Sequence, residues 1–186
     1  MVMWRWVAGT SGIGFLLSGA LATMAMAAEP PGPDPKIALA WRLDEVSTAN
    51  LGPDQPDAGW RRVAALLAAA SELDPHQSRF LRLRALALMH VGDTDGAIAA
   101  LVKYRGLAPA DCVAQAELID LYASRQQTLD AKVSYLESLL DNQHVPIEVR
   151  AHAAVQCIFL LAQKSPDQAA QMAKRAVALY PLPEAT

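Results

Sequence analysis

The residues that could carry chemistry are few and widely spaced. The histidines are His76, His90, His144 and His152, and no two are separated by the three or four residues that let a helix present two metal ligands. The chain also lacks closely paired cysteines, a His-Glu-x-x-His run, a nucleophile elbow and a phosphate-binding loop. We therefore predict no catalytic residue, no metal site and no cofactor, and we expect that the protein is not an enzyme.

Two acidic groups have simpler explanations than ligand binding. Asp93, Asp95 and the residues beside them resemble part of a calcium loop, but the distal glutamate is missing and the segment suits a helix cap. Glu117 and Asp120 share one face of a predicted helix. Acid–base catalysis needs two environments that separate the pKa values of such a pair, and the sequence supplies none. Solvated carboxylates are the default interpretation.

Residues 1–28 have the plan of an export segment. Their single charge is Arg5, and a long run of apolar and small residues ends in Ala25-Met26-Ala27-Ala28. A basic start, an apolar middle and a small-residue exit are typical of a secretory signal peptide. The alternative is an uncleaved membrane anchor over residues 6–28, because that stretch is just long enough to span a bilayer. We expect a periplasmic or secreted protein that is not inserted in the membrane once the signal is removed.

The composition of the whole chain indicates helices. The 186 residues include 36 alanines and 25 leucines, and 53% of the residues are apolar. Alanine and leucine are strong helix formers, and this apolar content excludes bulk disorder. The net charge is −3, so no basic field points to nucleic acid. Residues 29–35 contain four prolines and form a stiff spacer, residues 36–59 supply a helix and a broken loop, and residues 60–183 form the main domain.

That domain contains an internal period of 34 residues. Val63, Ala97 and Ala131 follow one another at this interval, and Leu67 and Leu101 repeat it four residues later. These offsets lie on one helical face. Apolar periodicity, capping residues and breakers predict paired helices over 36–47, 60–75, 78–91, 97–107, 112–125, 129–140 and 147–163, with another that opens at Pro166.

The period and its small, large and proline positions resemble the tetratricopeptide repeat (TPR) family. The best match runs from Gly92 through Ala97 and Leu101 to Pro109. The resemblance implies an all-α fold, a right-handed α-solenoid of antiparallel helix pairs with about three to four units. Arg84 and Gln156 depart from the pattern, because the family has leucine at these positions of the first helix. An unrelated alanine-rich helical bundle is the alternative.

The same resemblance bears on the two cysteines. It separates Cys112 and Cys157 by about 10 Å along the helix axes and by a further helix spacing of about 8–10 Å. A disulfide needs Cα atoms within about 7 Å of each other. We therefore predict two buried thiols that act as small apolar side chains, with an intrachain disulfide as the alternative.

In the TPR family the first helix of each pair lines a concave groove that takes up peptides. Counted along the first helices, the resemblance places the groove at Arg79, Arg82, Leu86, His90, Asp120, Ile158 and Leu161, together with Met89, Val113, Ala116, Ala123, Ser124, Ala151, Ala154 and Ala162. Such a groove is basic at one end and apolar at the other, and arginine suits carboxylate recognition. The alternative is that these arginines, with Arg61, Arg62 and Arg84, form a solvated face balanced by nearby acids.

These features favour an exported adaptor or scaffold of the bacterial cell envelope that binds a protein or peptide partner through the groove. The alternative is an accessory structural subunit that stacks on a larger assembly without a groove ligand. The repeat pattern ends near Pro181 with no polar capping helix after it. Either this end packs more tightly than the pattern indicates, or a partner or a second copy covers it.

Overall fold

The computed structural model describes residues 32, 34–49, 52 and 55–179. The predicted export segment, most of the predicted spacer and the chain after Leu179 lie outside the described residues. All of the described helices belong to the unit Pro33–Thr186. None of them combines the length and the apolar character needed to cross a membrane.

Every helix predicted from the sequence is present, within three residues of its predicted ends. Consecutive helices pack against one another in chain order, and α5 also packs on α7. The described part of the chain is therefore all-α and has the consecutive helix packing of an α-solenoid. The helices are α1 (Pro35–Thr48), α2 (Asp57–Leu73), α3 (Ser78–His90), α4 (Thr94–Leu107), α5 (Cys112–Ser124), α6 (Leu129–Leu140), α7 (Ile147–Ala162) and α8 (Pro166–Leu179).

Four helices begin at an aspartate or threonine side chain that accepts a hydrogen bond from the first turn, and α3 begins at Gln77, whose Oε1 accepts from the Arg79 amide at 3.3 Å. Asp34 accepts from the Lys36 amide at 2.8 Å, and Asp93 accepts from the Gly96 amide at 2.9 Å. The other two caps are Asp111 at α5, over 3.0 Å, and Thr128 at α6, over 3.1 Å. Each cap satisfies an amide that the helix itself leaves unpaired. The capping role predicted for Asp93 is confirmed.

Gly92 ends α3 in the left-handed region of backbone space, with φ of +72°. The Asp93 amide donates to the Leu88 carbonyl at 2.9 Å, and the Gly92 amide donates to the Met89 carbonyl at 3.1 Å. This pair of bonds is the Schellman motif, in which a glycine closes the helix and turns the chain toward the next one. The turn between α3 and α4 therefore depends on the backbone freedom of Gly92.

Two glycine substitutions should change stability in opposite directions. Gly92→Ala should lower the free energy of unfolding by about 1 kcal/mol, because an L-residue is strained at positive φ. Gly106→Ala, in the last turn of α4, should raise it by about 0.5 kcal/mol, because alanine favours the helix. A Cβ atom at either position has no neighbour within 4 Å, so only the backbone distinguishes them. Urea denaturation followed by circular dichroism measures both, and effects of the same sign would contradict this account.

The buried side chains form two clusters that meet inside α5. The N-terminal cluster is built by α1 to α4 with Ala114 and Leu118 of α5, whereas the C-terminal cluster is built by Ile119 and Ala123 of α5 and by α6 to α8. Neighbouring residues of one helix thus face different clusters. The largest fully buried side chains are Phe80, Leu67, Leu101 and Val63 in the first cluster and Leu136, Leu140, Val149 and Cys157 in the second.

The joint between α5 and α6 is the loosest of the consecutive contacts. A crevice of about 130 Å³ lies there, between Leu118, Ile119 and the two tyrosines that face each other across the joint. The rings of Tyr122 and Tyr135 are 6.4 Å apart and inclined at 58°. The two clusters are therefore connected mainly through the body of α5 and its contacts with α4 and α7.

The residues that depart from the repeat pattern occupy partly buried positions. Both Arg84 and Gln156 are half-buried on first helices. The Nε atom of Arg84 is buried and has no hydrogen-bond partner within the described part of the chain. A leucine there would bury no such group, so the departure from the pattern costs stability.

Both cysteines are free, but the prediction that both are buried is wrong for Cys112, which is half-buried. Cys157 belongs to the core of the second cluster. Its burial raises the pKa of the thiol to about 11. It acts as a small apolar side chain in the interior.

Candidate functional site

The first helices α1, α3, α5 and α7 are joined to one another by ion pairs. Nε of Arg79 on α3 donates to Oδ2 of Asp44 on α1 at 3.0 Å, and the Asp44 side chain is only 6% exposed. Arg82, one turn further along α3, donates through both terminal nitrogens to the two carboxylate oxygens of Glu117 on α5. α3 therefore presents one arginine to α1, the preceding first helix, and another to α5, the following first helix.

The series continues from α5 to α7. Nε2 of His152 lies 2.8 Å from Oδ1 of Asp120, which stands one turn after Glu117. The partners in these three contacts are separated by 35, 35 and 32 residues, close to the sequence period. Equivalent positions of successive first helices thus meet side by side, as stacked repeats require.

Further ion pairs of similar separation join the outer parts of the units. Lys164 and Asp130 are 2.5 Å apart, and Arg175 lies 2.7 Å from each carboxylate oxygen of Asp141. Both pairs span 34 residues and connect α6 with the segment around α8. The pKa of Arg175 is raised because its guanidinium donates to Asp141. Charge pairing therefore follows the period on both sides of the solenoid.

Arg82 belongs to a polar cluster where α3, α4 and α5 meet. Its guanidinium lies 5.9 Å from the centre of the Tyr104 ring, and the Tyr104 hydroxyl donates to Oδ2 of Asp111 at 2.6 Å. The pKa of Arg82 is raised because it donates to Glu117. The bond between Tyr104 and Asp111 raises the pKa of the tyrosine and, with the amide of Ala114, lowers that of the aspartate. Arg82 and Glu117 are held by one another and by this cluster.

Tyr104→Phe should reveal a pH window in stability. The lowered pKa of Asp111 means that the hydrogen bond stabilises the fold above about pH 4 and is lost as the pH falls through the folded-state value. The raised pKa of Tyr104 means that the bond persists to about pH 10 and is lost as the pH rises further. Between these limits the variant should be less stable than wild type by about 1 kcal/mol.

Urea titrations of both proteins across this pH range would measure the window. Tyr135→Phe is the matched control for the acid limb, because among the described residues its hydroxyl bonds to no carboxylate. A stability difference between wild type and Tyr104→Phe that stays constant from pH 3 to pH 7 would contradict the role of Asp111.

Of the remaining candidate residues of α3, Met89 is half-buried against the first core cluster, and the others stay at the surface. Arg79, Leu86 and His90 are exposed on one side of the helix, with Leu86 at 39%. The ring of His90 is stacked on that of Trp60, with centres 3.9 Å apart and planes 8° from parallel. This stacking anchors the imidazole against α2. We define the first-helix face as the exposed side of α1, α3, α5 and α7.

The candidate residues of α7 are mostly buried. Leu161 is 8% exposed and belongs to the second core cluster, against which Ile158 packs. The exposed row instead contains Val155 and Phe159, at 63% and 64% exposure, in line with Glu148 at the start of the helix. Counting along the repeat did not identify this row. The spacing of the apolar and small residues Val149, Ala153 and Cys157 marks the buried side and thereby locates the exposed one.

A groove lies between α5 and α7 on the first-helix face. It has a volume of about 330 Å³ and an apolar floor, and the Val113 side chain at its edge is 65% exposed. Sγ of Cys112 lies 3.8 Å from Oε2 of Glu148 across the groove. We call this feature the α5–α7 groove; its lining residues are Cys112, Val113, Ala116, Glu117, Asp120, Glu148 and His152.

A second groove lies on the opposite side, between α6 and α8. It has a volume of about 420 Å³, and its lining is mainly polar, with Ser134, Glu137 and Gln168 among its residues. Asp130 and Arg175, which also line it, are held in the ion pairs described above. Its polar groups therefore serve largely to join α6 to α8. Within the described residues no group of three or more histidine, cysteine, aspartate or glutamate side chains could hold a metal ion.

The likeness to helical repeat proteins rests on the sequence period, on the helix order and on the inter-unit ion pairs. No family model matches the chain, and no curated protein matches it. The function is therefore inferred from the side chains of the first-helix face.

Proposed function

We propose that the chain is an exported, TPR-like adaptor or scaffold of the bacterial cell envelope that binds a protein or peptide partner on its first-helix face. Stacked helix pairs create an extended surface that suits such binding. The consecutive packing of the eight described helices and the period of their ion pairs support this assignment.

One observation carries the proposal: the exposure of large apolar side chains on neighbouring first helices. The side chains of Val113, Val155 and Phe159 are each more than 60% exposed, whereas other apolar residues of the same two helices are buried in the core. Single exposed apolar residues need no explanation, but a group of them beside a groove is typical of an interaction site. Phe159 in particular offers the kind of aromatic anchor that dominates protein interfaces.

Site-specific photo-crosslinking would test the proposal. A photoreactive phenylalanine analogue is placed at Phe159 in the full chain, and the matched control carries it at Val177, which is exposed at 66% on α8. The analogue at position 159 should cross-link to one defined polypeptide. In pull-down, the Phe159→Ser variant should capture less of that polypeptide than the wild-type protein does. Absence of cross-links at position 159, with the fold retained, would refute binding on this face.

The export part of the proposal rests on the composition of residues 1–28. Mass spectrometry of the accumulated protein would locate its first residue. We expect Ala28 or Glu29 at the mature N-terminus, with the protein in the periplasmic or secreted fraction. An intact N-terminus in the membrane fraction would favour the anchor formed by residues 6–28, and a cytoplasmic protein would refute export.

An accessory structural subunit is the second candidate, and one observation favours it. Val177 is 66% exposed on the last described helix, where a further unit would stack. Under this function the protein should self-associate or attach to a larger assembly through α8. Sizing of wild type and Val177→Asp would decide: a larger species that the substitution converts to monomer supports the second function, and a monomeric wild type counts against it.

A further inference from the structure

We infer that the α5–α7 groove binds a cationic peptide segment that inserts an apolar side chain between the two helices. This inference rests on the proposed function and specifies the chemistry of the partner. The side chains of Arg79 and Arg82 alone would favour an acidic ligand. We infer a cationic one because the charges that remain available at the α5–α7 groove are negative.

The floor of the α5–α7 groove is apolar. Val113 and Ala116 on α5 form a surface that is open to solvent, and Val113 is 65% exposed. Val155 and Phe159 extend the apolar row along α7, on the side that carries Glu148 and His152. Covering these side chains removes apolar surface from water, which favours an apolar residue as the group that enters.

The charges at the rim of the groove determine the sign of the partner. Three carboxylates line it, those of Glu117, Asp120 and Glu148, and among the described arginines only Arg82 forms an ion pair with any of them. Glu117 is fully engaged by Arg82, and Asp120 bonds to His152. Glu148 forms no ion pair with a cation among the described residues; its polar contact is the thiol of Cys112. The rim is therefore net negative.

The thiol of Cys112 lies beside the same negative charges. Its pKa is raised by burial and by the negative charges of Glu148 and Asp111. A lysine or arginine of the partner could form an ion pair with Glu148, which has none within the described part of the chain. An acidic peptide would be repelled. Charge complementarity and the apolar floor together favour a segment in which basic residues flank an apolar one.

The arginines of α3 do not reverse this choice. Arg79 is held by Asp44, and Arg82 is held by Glu117, so recognition of an acidic ligand would require breaking a contact between units. The cost of leaving a half-buried carboxylate unpaired opposes that exchange. The acidic rim requires no such rearrangement, because Glu148 is exposed and has no cation to release.

Binding of three short fluorescent peptides to the full chain tests the inference. The peptides share a leucine framework and carry lysine, glutamine or glutamate at the intervening positions. The lysine peptide should bind at least tenfold more tightly than the glutamate peptide, and added salt should weaken its binding. Val113→Asn should weaken it by removing the apolar contact.

Glu148→Lys and Glu72→Lys provide the matched pair. Both change the net charge by the same amount, but Glu72 is exposed near the end of α2, away from the groove. Glu148→Lys should weaken binding of the lysine peptide about tenfold, and Glu72→Lys should leave it nearly unchanged. Equal effects of the two variants, or equal affinity for the glutamine peptide, would overturn the cationic assignment.

The outcomes separate this inference from the function on which it rests. If the glutamine and lysine peptides bind with equal affinity and Val113→Asn weakens both alike, the first-helix face binds peptides but does not select cations. If none of the peptides binds, the inference is wrong, and the cross-linking result at position 159 decides the proposed function independently. Circular dichroism of each variant confirms that the helices are retained.

Discussion

Replacing Phe80 with alanine should lower the free energy of unfolding by about 3–5 kcal/mol. The Phe80 side chain is fully buried in α3, and the centre of its ring lies 5.4 Å from that of Trp41 in an edge-to-face arrangement. Truncation therefore removes apolar contacts with α1 and leaves a cavity between first helices. Urea denaturation followed by circular dichroism would measure the change.

Phe159→Ala is the matched control, because it removes the same side chain from an exposed position. Phe159 is 64% exposed, so its truncation should alter stability by no more than about 0.5 kcal/mol. The two variants thus separate the buried face of a first helix from its exposed face. Comparable losses from both would show that Phe159 is packed, which would remove the main support for the proposed function.

Leu140→Ala should destabilise the C-terminal helices by about 2–5 kcal/mol and leave the N-terminal helices nearly unchanged. Leu140 is fully buried at the end of α6 and belongs to the second core cluster. In a repeat protein each unit contacts only its neighbours, and here α5 and α6 meet loosely. Hydrogen exchange of full-length protein should show amides of α6 to α8 exchanging at least about thirtyfold faster.

Leu67→Ala provides the reciprocal experiment, because Leu67 is fully buried in the N-terminal cluster. Its exchange effect should concentrate in α2 and α3. If either substitution accelerates exchange equally along the whole chain, the described helices unfold as one cooperative unit. The division of the core inside α5 would then have no energetic consequence.

The sequence was sufficient to predict the helices because their ends carry local chemical signals. Asp93 and Asp111 accept hydrogen bonds from the turns that they start, and Gly92 adopts the conformation that closes α3. These signals act within a few residues. The unequal packing of α5 against its neighbours has no such local signal, because it depends on how two tyrosines meet across a crevice.

The site was harder to predict from the sequence because its charges are paired across units. The types and spacing of Arg79 and Arg82 indicate groove cations, but each partner lies 35 residues away on a different helix. On α7, counting from the start of the unit selected Leu161, which is buried, whereas Phe159 is exposed. A shift of one or two positions on a helix moves a residue from one side to the other, since each residue advances about 100°.

The polar contacts between first helices also limit which helix pairs can be neighbours in the array. α1 offers a carboxylate, α3 offers two guanidinium groups, α5 offers two carboxylates, and α7 offers an imidazole, so carboxylates and nitrogen-bearing side chains alternate from one first helix to the next. Loss of the pair α3–α4 would place the two carboxylate-bearing helices α1 and α5 side by side, whereas the present order sets a nitrogen-bearing side chain opposite each of these carboxylates. The polar side chains of the first helices thus record the order in which the units must be joined.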